Sequence, residues 1–428
     1  MEAMETDHGT GRKGRGVPQE NQNYGVPFFW VYFFYYAAYA VFSGNAVLFL
    51  TECGFSAALC GMVTSSMLLL SLVMQPAGGY VTDTFCSTRR YLTAGILLFI
   101  LLCFWCTAER KNSRALITGM IIGAGMVYPA GQLMDAWVKM STAVSPGLRY
   151  SRIRAGGSFG FALMSIAAGQ WFRRFGWDKY FLIQAAVVML MLPLIRILPE
   201  IPPANGSRGG RQTEKEEDQD LKNGMEERLS AWESFRLLLH NREYMFWFLV
   251  CTVYWFSHRP IGSFLSLLVR GRGGDAGTYG NVCGAGAIFE FLCLMLIGGG
   301  TILKSGKRRP SALMPAALFT DILRPLCFLF FPGLAPVYAG QVLQSLSFAL
   351  YYTASVECFA LSSDERIRSF SISTGLALSS AAGTAGANLF GGRLCDLKGP
   401  EILPMISISA AIANLLLTTV AGRRSFRS

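Results

Sequence analysis

Twelve apolar runs of roughly 18 to 28 residues punctuate the chain, a length that matches the hydrocarbon thickness of a bilayer. They lie near residues 25–51, 56–82, 90–108, 115–139, 152–172, 180–198, 243–270, 277–303, 311–331, 334–361, 370–393 and 401–421. In lipid every backbone N–H and C=O must find its partner within the chain, so each run predicts a helix. Short polar turns separate most of them, for example Gly271-Arg272-Gly273-Gly274-Asp275 and Phe331-Pro332-Gly333-Leu334-Ala335-Pro336. One long hydrophilic segment, 199–240, divides the runs into six and six. It opens on Pro199, Pro202 and Pro203 and passes through the charged stretch Glu214 to Asp220, as a flexible linker does. From Glu226 to His240 the spacing of Leu229, Trp232, Phe235, Leu238 and Leu239 is amphipathic and predicts a helix on the membrane surface.

The two sets of six echo each other. Phe29-Trp30 is answered by Phe246-Trp247, Gly61 by Gly280, Gly79 by Gly299 and Arg90 by Arg309. Gly160 is answered by Gly383, and Gly176 by Gly399. The offset drifts only from 217 (247 − 30) to 223 (399 − 176) residues. The expected fold is therefore an all-α membrane protein with twelve transmembrane helices in two pseudo-symmetric six-helix bundles. The expected divisions are a disordered tail (1–24), an N-terminal bundle (25–198), a cytoplasmic linker (199–240), a C-terminal bundle (241–421) and a cytoplasmic tail (422–428). A parallel repeat of this kind is the architecture of secondary transporters, with the solute site between the halves.

Composition sharpens this. Of 428 residues, 52% are hydrophobic and 15% charged, too apolar for an ordinary soluble domain. The net charge of +11 would suggest nucleic acid in a soluble protein, but here its distribution decides. With both termini in the cytoplasm, about 25 of the 38 Lys and Arg fall on the inner side, as the positive-inside rule requires. Arg110, Lys111 and Arg114, in an outer loop, run against the trend. The 11 cysteines are mostly within the spans and show no metal-ligand spacing. The start of the chain lacks the apolar core of a signal peptide. The sequon at Asn205 falls in the inner linker and is expected to be unmodified. No catalytic triad, phosphate loop, metal motif or cofactor motif stands in a soluble segment, so no enzyme is expected.

Ionisable side chains inside a bilayer are costly and usually face a solvated cavity. Seven stand inside the predicted spans: Asp135, Arg154, Arg259, Glu290, Asp321, Arg324 and Glu357. Asp135 and Arg154 are equidistant from the turn near Val144 and Ser145, which sets them at one height of a helical hairpin. Arg259 and Glu290 are related in the same way through Gly274 and Asp275. Asp321 and Arg324, three apart, share a helix face. Neutralised pairs that merely lock helices together account for such residues as well as a site does. Glu290 has the strongest case for function, because a carboxyl that alternates between a cationic partner such as Arg259 and none can take up and release a proton. His258 precedes Arg259, and Pro260 invites a kink there. Among the aromatics of the first run, Tyr36 and Tyr39 are candidates to line a cavity.

The stretch Gly79-Tyr80-Val81-Thr82-Asp83 followed by Arg89-Arg90 resembles the loop signature between the second and third helices of the major facilitator superfamily. Through most of its length the chain resembles that superfamily's oligosaccharide–proton symporter (lactose permease-like) branch. The resemblance is carried by Phe28-Phe29-Trp30 with the aromatic run to Tyr36, by Ser71-Leu72 and Gln75-Pro76, and by Ser151-Arg152-Ile153-Arg154-Ala155 with Gly157 to Ala162. Arg242-Glu243 before Trp247-Phe248-Leu249 and the isolated Glu290 complete it. The resemblance implies solute-binding roles for Asp135, Arg154 and the aromatic Phe161, and proton-coupling roles for Glu290 and Arg324. It implies gating roles for Asp83, Arg89 and Arg90. The chain departs from the branch at Gln344, Ser347 and Leu350 in the tenth helix, at Ile261 and Phe264 in the seventh, and at Cys293 beside Glu290. Galactoside specificity and that branch's intact proton pathway are therefore not implied.

The expectation is a monomeric, multi-pass plasma-membrane transporter that moves a small polar solute, sugar- or nucleoside-like, by alternating access coupled to protons. Its partners are the solute, protons and the lipid bilayer, with no nucleic acid and no cofactor. Uncoupled facilitated transport and a non-transporting receptor or scaffold on the same fold remain open alternatives.

Overall fold

The computed structural model describes residues 24–142, 148–201, 231–298 and 310–425. The expected tail before residue 24, the central part of the linker with Asn205, and the turn at Val144 and Ser145 lie outside the described residues.

Among the described residues, twelve spans cross the molecule. Span 1 runs Gly25–Tyr39, continues through a π-helical turn at Ala40–Gly44 and ends as Ala46–Glu52. Spans 2 to 5 are Ala57–Thr84, Thr88–Ala108, Ser113–Ser141 and Tyr150–Phe175. Span 6 is Tyr180–Met189 with Met191–Ile197. Span 7 is Arg242–Ser263 with Leu265–Gly271, interrupted at Phe264, four residues after Pro260 removes a helical N–H. Spans 8 to 12 are Ala276–Gly298, Pro310–Phe330, Ala335–Leu361, Arg368–Lys398 and Leu403–Ser425. No strand occurs among the described residues. A short helix, Ala231–His240, precedes span 7. It buries Ser234 and Leu238 and exposes Trp232, Leu237 and Leu239, the face expected to meet the bilayer surface.

With twelve spans, both described chain ends lie at one end of the molecule, the terminal end; the opposite end is the far end. Spans 1–6 and 7–12 form the two bundles, in which span 1 packs on span 5 and, equivalently, span 7 packs on span 11. The bundles meet where span 5 packs on span 8 and span 2 on span 11. Burial between helices drives nothing in lipid, so close backbone approach through small residues supplies the attraction. The internal repeat has its physical origin here. A Cβ on Gly160 would collide with the Phe33 carbonyl, and one on Gly383 with the Thr252 carbonyl. The pairs are offset by 223 (383 − 160) and 219 (252 − 33) residues. Across the bundle interface, Gly61 meets the Asn388 carbonyl as Gly280 meets the Ser165 carbonyl. Gly176 and Gly399, with φ of 71° and 81°, end spans 5 and 11 in the left-handed region that only glycine enters freely.

The hydrogen bonds and ion pairs that join the bundles cluster toward the far end. Glu52 pairs with Arg270, and Arg173 with Asp275. Asp396 accepts the free N–H groups of Ala57 and Ala58 at the start of span 2, both at 2.8 Å. Asn388 donates to Thr64 at 3.2 Å, and Gln170 to Asn281 at 3.3 Å. Together with Arg110–Asp178 and Arg272–Glu401, these pairs neutralise four far-end arginines, Arg110 among them. Backbone N–H of Thr278, its hydroxyl and Arg173 hold the Asp275 carboxyl below the usual carboxylate range, so this latch stays charged near neutral pH.

Gly280→Val would press side-chain atoms onto the Ser165 carbonyl and the Gly169 backbone. The expected result is separation of spans 5 and 8 at the far end. In a background with Cys283 as sole cysteine, labelling by an impermeant thiol reagent from the far face should rise several-fold; unchanged labelling would contradict this.

Candidate functional site

Between the bundles lies a cavity of about 480 Å³ lined by residues from spans 1, 2, 4 and 5 and from spans 7, 8, 10 and 11. Of the residues singled out from sequence, Tyr36, Tyr39, Arg154, Phe161, Arg259 and Glu290 all line it. Asp135, Arg324, Asp83, Arg89 and Arg90 do not.

Each cavity arginine lies over an aromatic ring. The Arg154 guanidinium is 4.3 Å from the centre of the Tyr36 ring, and the Arg259 guanidinium 4.7 Å from that of Trp255. Gly157 makes the first contact possible, because a Cβ there would stand 2.5 Å from Tyr36 Cδ2 and 2.9 Å from Arg154 Nη1. Neither arginine forms an ion pair within 4 Å among the described residues. The expected hairpin pairs are thus not closed as salt bridges: helix registry sets the height of a side chain but not its rotation about the axis. Asp135 Oδ1 instead accepts from the hydroxyls of Tyr32 at 2.6 Å and Tyr150 at 3.0 Å.

The π-helical turn of span 1 shapes the cavity wall. Such turns leave carbonyls without helical partners. Asn45 takes the Ala40 carbonyl at 2.9 Å and Tyr180 that of Phe42 at 2.7 Å, while Tyr279, from the other bundle, donates to the Gly44 carbonyl. Ser43 and Gly44 consequently face the cavity, and the Ser43 hydroxyl meets that of Tyr128 at 2.9 Å.

Behind the cavity wall, in the C-terminal bundle, Asp321 and Arg324 are buried but do not pair with each other within 4 Å. Asp321 Oδ2 accepts from Ser257 at 2.7 Å, and Oδ1 lies 2.7 Å from His258 Nδ1. Arg324 donates Nη1–H to the His258 carbonyl at 3.1 Å. Its Nε and Nη2 have no acceptor among the described residues. Tyr254 stacks between His258 and Tyr351, with ring centres 5.1 and 3.7 Å away.

At the terminal end, Arg90 Nε is 2.6 Å from Glu200 and Arg89 Nη2 3.9 Å from it, so both arginines clamp the start of span 3 to the segment that follows span 6. Asp83 is exposed. The Ser87 hydroxyl, then Arg90 and Arg89, hold the Glu200 carboxyl below its ordinary value of 4.5. A carboxyl lowered on folding stabilises above its unfolded value, and the contribution fades as pH falls through the folded value. Glu200→Gln is therefore expected to speed amide exchange around residues 85–88 at pH 7 and to differ less from the parent at about pH 4, below the ordinary carboxyl value. An equal difference at both pH values would rule out this clamp.

Sequence reasoning missed Trp255, Tyr128, Gln341, Asn388, Ser380 and Thr384 as lining residues. Trp255 was findable, since it stands four residues before Arg259 on one helix face. The amides were findable as well, being polar groups in apolar runs.

A family model described as the MFS_1 like family matches residues 28–403. No curated protein matches the sequence. Among solved structures, the nucleoside transporter NupG is similar with a TM-score of 0.75 at 14% identity, covering 95% of this chain and 100% of that one. The POT family transporter PepTSo gives 0.68 at 11% identity, covering 92% and 97%. A peptide transporter POT in complex with sulfate gives 0.67 at 13%, covering 94% of each chain. At these identities the likeness shows the fold.

Proposed function

The chain belongs to the MFS_1 like family, and from that premise we propose that this multi-pass secondary transporter carries a small polar organic solute, sugar- or nucleoside-like, by proton-coupled alternating access. The observation that carries the proposal is the cavity shared by both bundles, with Arg154, Arg259 and Glu290 on its wall and a latch of cross-bundle contacts at the far end. Charged groups make the stronger hydrogen bonds, so Arg154 orients the solute while Tyr36, Tyr39 and Phe161 supply ring faces. Asp135 contributes through Tyr32 and Tyr150. Glu290 carries the proton and Arg259 is the cation facing it. Arg324, beside His258, supports coupling from behind the wall. Asp83, Arg89 and Arg90 serve the gate at the terminal end. The likeness to nucleoside and peptide transporters supports a small polar cargo.

The basic bias of the terminal end supports a cytoplasmic location for both termini, and on this reading the protein is a plasma-membrane monomer. Gln344, a neutral residue on the cavity wall at a position where the symporter branch carries a charge, favours uncoupled transport as the second reading. Uptake into proteoliposomes with and without an imposed pH gradient decides between them. Acceleration by an inward proton gradient supports coupling, and indifference to it supports the uncoupled reading.

A further inference from the structure

Resting on that reading of the cavity, we infer that the solute is a hydroxylated carboxylate, a sugar acid in chemical class, whose carboxylate bridges Arg154 of span 5 and Arg259 of span 7. Two guanidiniums and one carboxylate, Glu290, line the cavity, leaving one positive charge in excess. Uncompensated charge in a membrane interior is costly and is met by a counter-charge. Asp135 and Glu290 act on these arginines from a distance, but among the described residues neither arginine has an ion-pair partner within 4 Å. Arg259 Nε is buried with no acceptor, and both oxygens' worth of Asp321 bonding goes to Ser257 and His258. A monoanion supplies the direct partner that both guanidiniums lack.

The geometry of the arginines suits a carboxylate. Each guanidinium lies over a ring, Tyr36 or Trp255, which occupies a face and leaves the N–H edge to a ligand. Edge-on, paired N–H donors match the two oxygens of a carboxylate. The rest of the wall suits a polyhydroxylated body. Gln341, Gln344 and Asn388 line the cavity, and their atoms Gln341 Nε2, Gln344 Oε1 and Asn388 Oδ1 have no partner among the described residues, which leaves hydrogen-bonding capacity for hydroxyls after a side-chain rotation. The rings of Tyr39 and Phe161 face the same space. Because Arg154 and Arg259 belong to opposite bundles, an anion between them links the two halves and ties binding to their relative motion.

The test is thermal unfolding of the purified full-length protein with matched probes: D-galacturonate against D-galactose, D-gluconate against sorbitol, and glucose 6-phosphate against glucose. Sodium acetate and sodium chloride serve as anion controls. Ligand binding raises apparent stability by mass action, so midpoints over a concentration series give relative affinities. A sugar acid should bind about 10- to 100-fold more tightly than its neutral partner, the range for a charged hydrogen-bonding group. In Arg259→Gln that preference, read from each variant's own ligand-free melting point, should collapse to near unity. Equal binding of acid and neutral partner overturns the carboxylate while leaving the cargo reading intact. Preference for the phosphate, or acetate or chloride alone matching the sugar acids, overturns the proposal too. Stabilisation by none of the probes overturns both the carboxylate and the sugar-like cargo.

Discussion

Arg154→Gln is expected to lower solute uptake by about 100-fold while the protein still folds and reaches the membrane. A charged donor removed from a desolvated site typically costs 2–5 kcal/mol of binding, which brackets that factor. Nothing else should suffer. Arg154 has no ion-pair partner within 4 Å among the described residues, so its loss orphans no buried carboxylate. Its neighbour Tyr36 keeps its contacts with Tyr32, Tyr35 and Tyr39. Lysine is not an adequate substitute, because an ammonium neither lies flat over Tyr36 nor offers two parallel N–H groups. Arg154→Lys should therefore restore only a small part of uptake. The check is initial-rate uptake normalised to folded protein in the membrane. Near-normal rates in Arg154→Gln would remove this residue from the site.

Glu290→Gln is expected to separate exchange from accumulation. Glu290 is the one carboxylate on the cavity wall among the described residues. Gln has the same shape and stays neutral, so it fixes the side chain in the equivalent of one protonation state. A pH difference of one unit sustains at most about tenfold accumulation when one proton accompanies each solute, since 1.36 kcal/mol is available per unit. In the variant that accumulation should fall to about onefold, while exchange of internal for external solute continues. Loss of exchange as well would make Glu290 part of the solute site. Accumulation that persists in the variant would move coupling to another group, with the buried His258–Asp321 pair the next to be examined.

The spans were legible because lipid leaves the backbone one choice. The run expected at 25–51 is observed as Gly25–Glu52, and 56–82 as Ala57–Thr84. The repeat was legible because close packing at equivalent points of two bundles demands glycine, as Gly160 and Gly383 against Phe33 and Thr252 demonstrate. The location of Arg154, Arg259 and Glu290 around one void followed from the cost of isolated charge in a bilayer. Their partners were not legible. Arg154 meets Tyr36, 118 residues away (154 − 36), and no local pattern encodes which way two helices turn toward each other. The π-helical turn at Ala40–Gly44 likewise depends on Tyr180 and Tyr279, distant residues that take up its freed carbonyls.

The latch at the far end and the clamp at the terminal end give alternating access a direct readout. One spin-label pair is placed at Lys111 and Phe331, exposed far-end positions in opposite bundles, and another at Phe85 and Leu361 at the terminal end. Distances are measured in lipid for the parent chain and for a variant with Glu52→Gln and Asp275→Asn, which removes both cross-bundle ion pairs. Each such exposed pair contributes roughly 0.2–1 kcal/mol, enough to shift a two-state population visibly. Rocking of two bundles about a shared cavity requires the far-end distance to lengthen as the terminal-end distance shortens. Two distances that stay fixed, or that lengthen together, would contradict it.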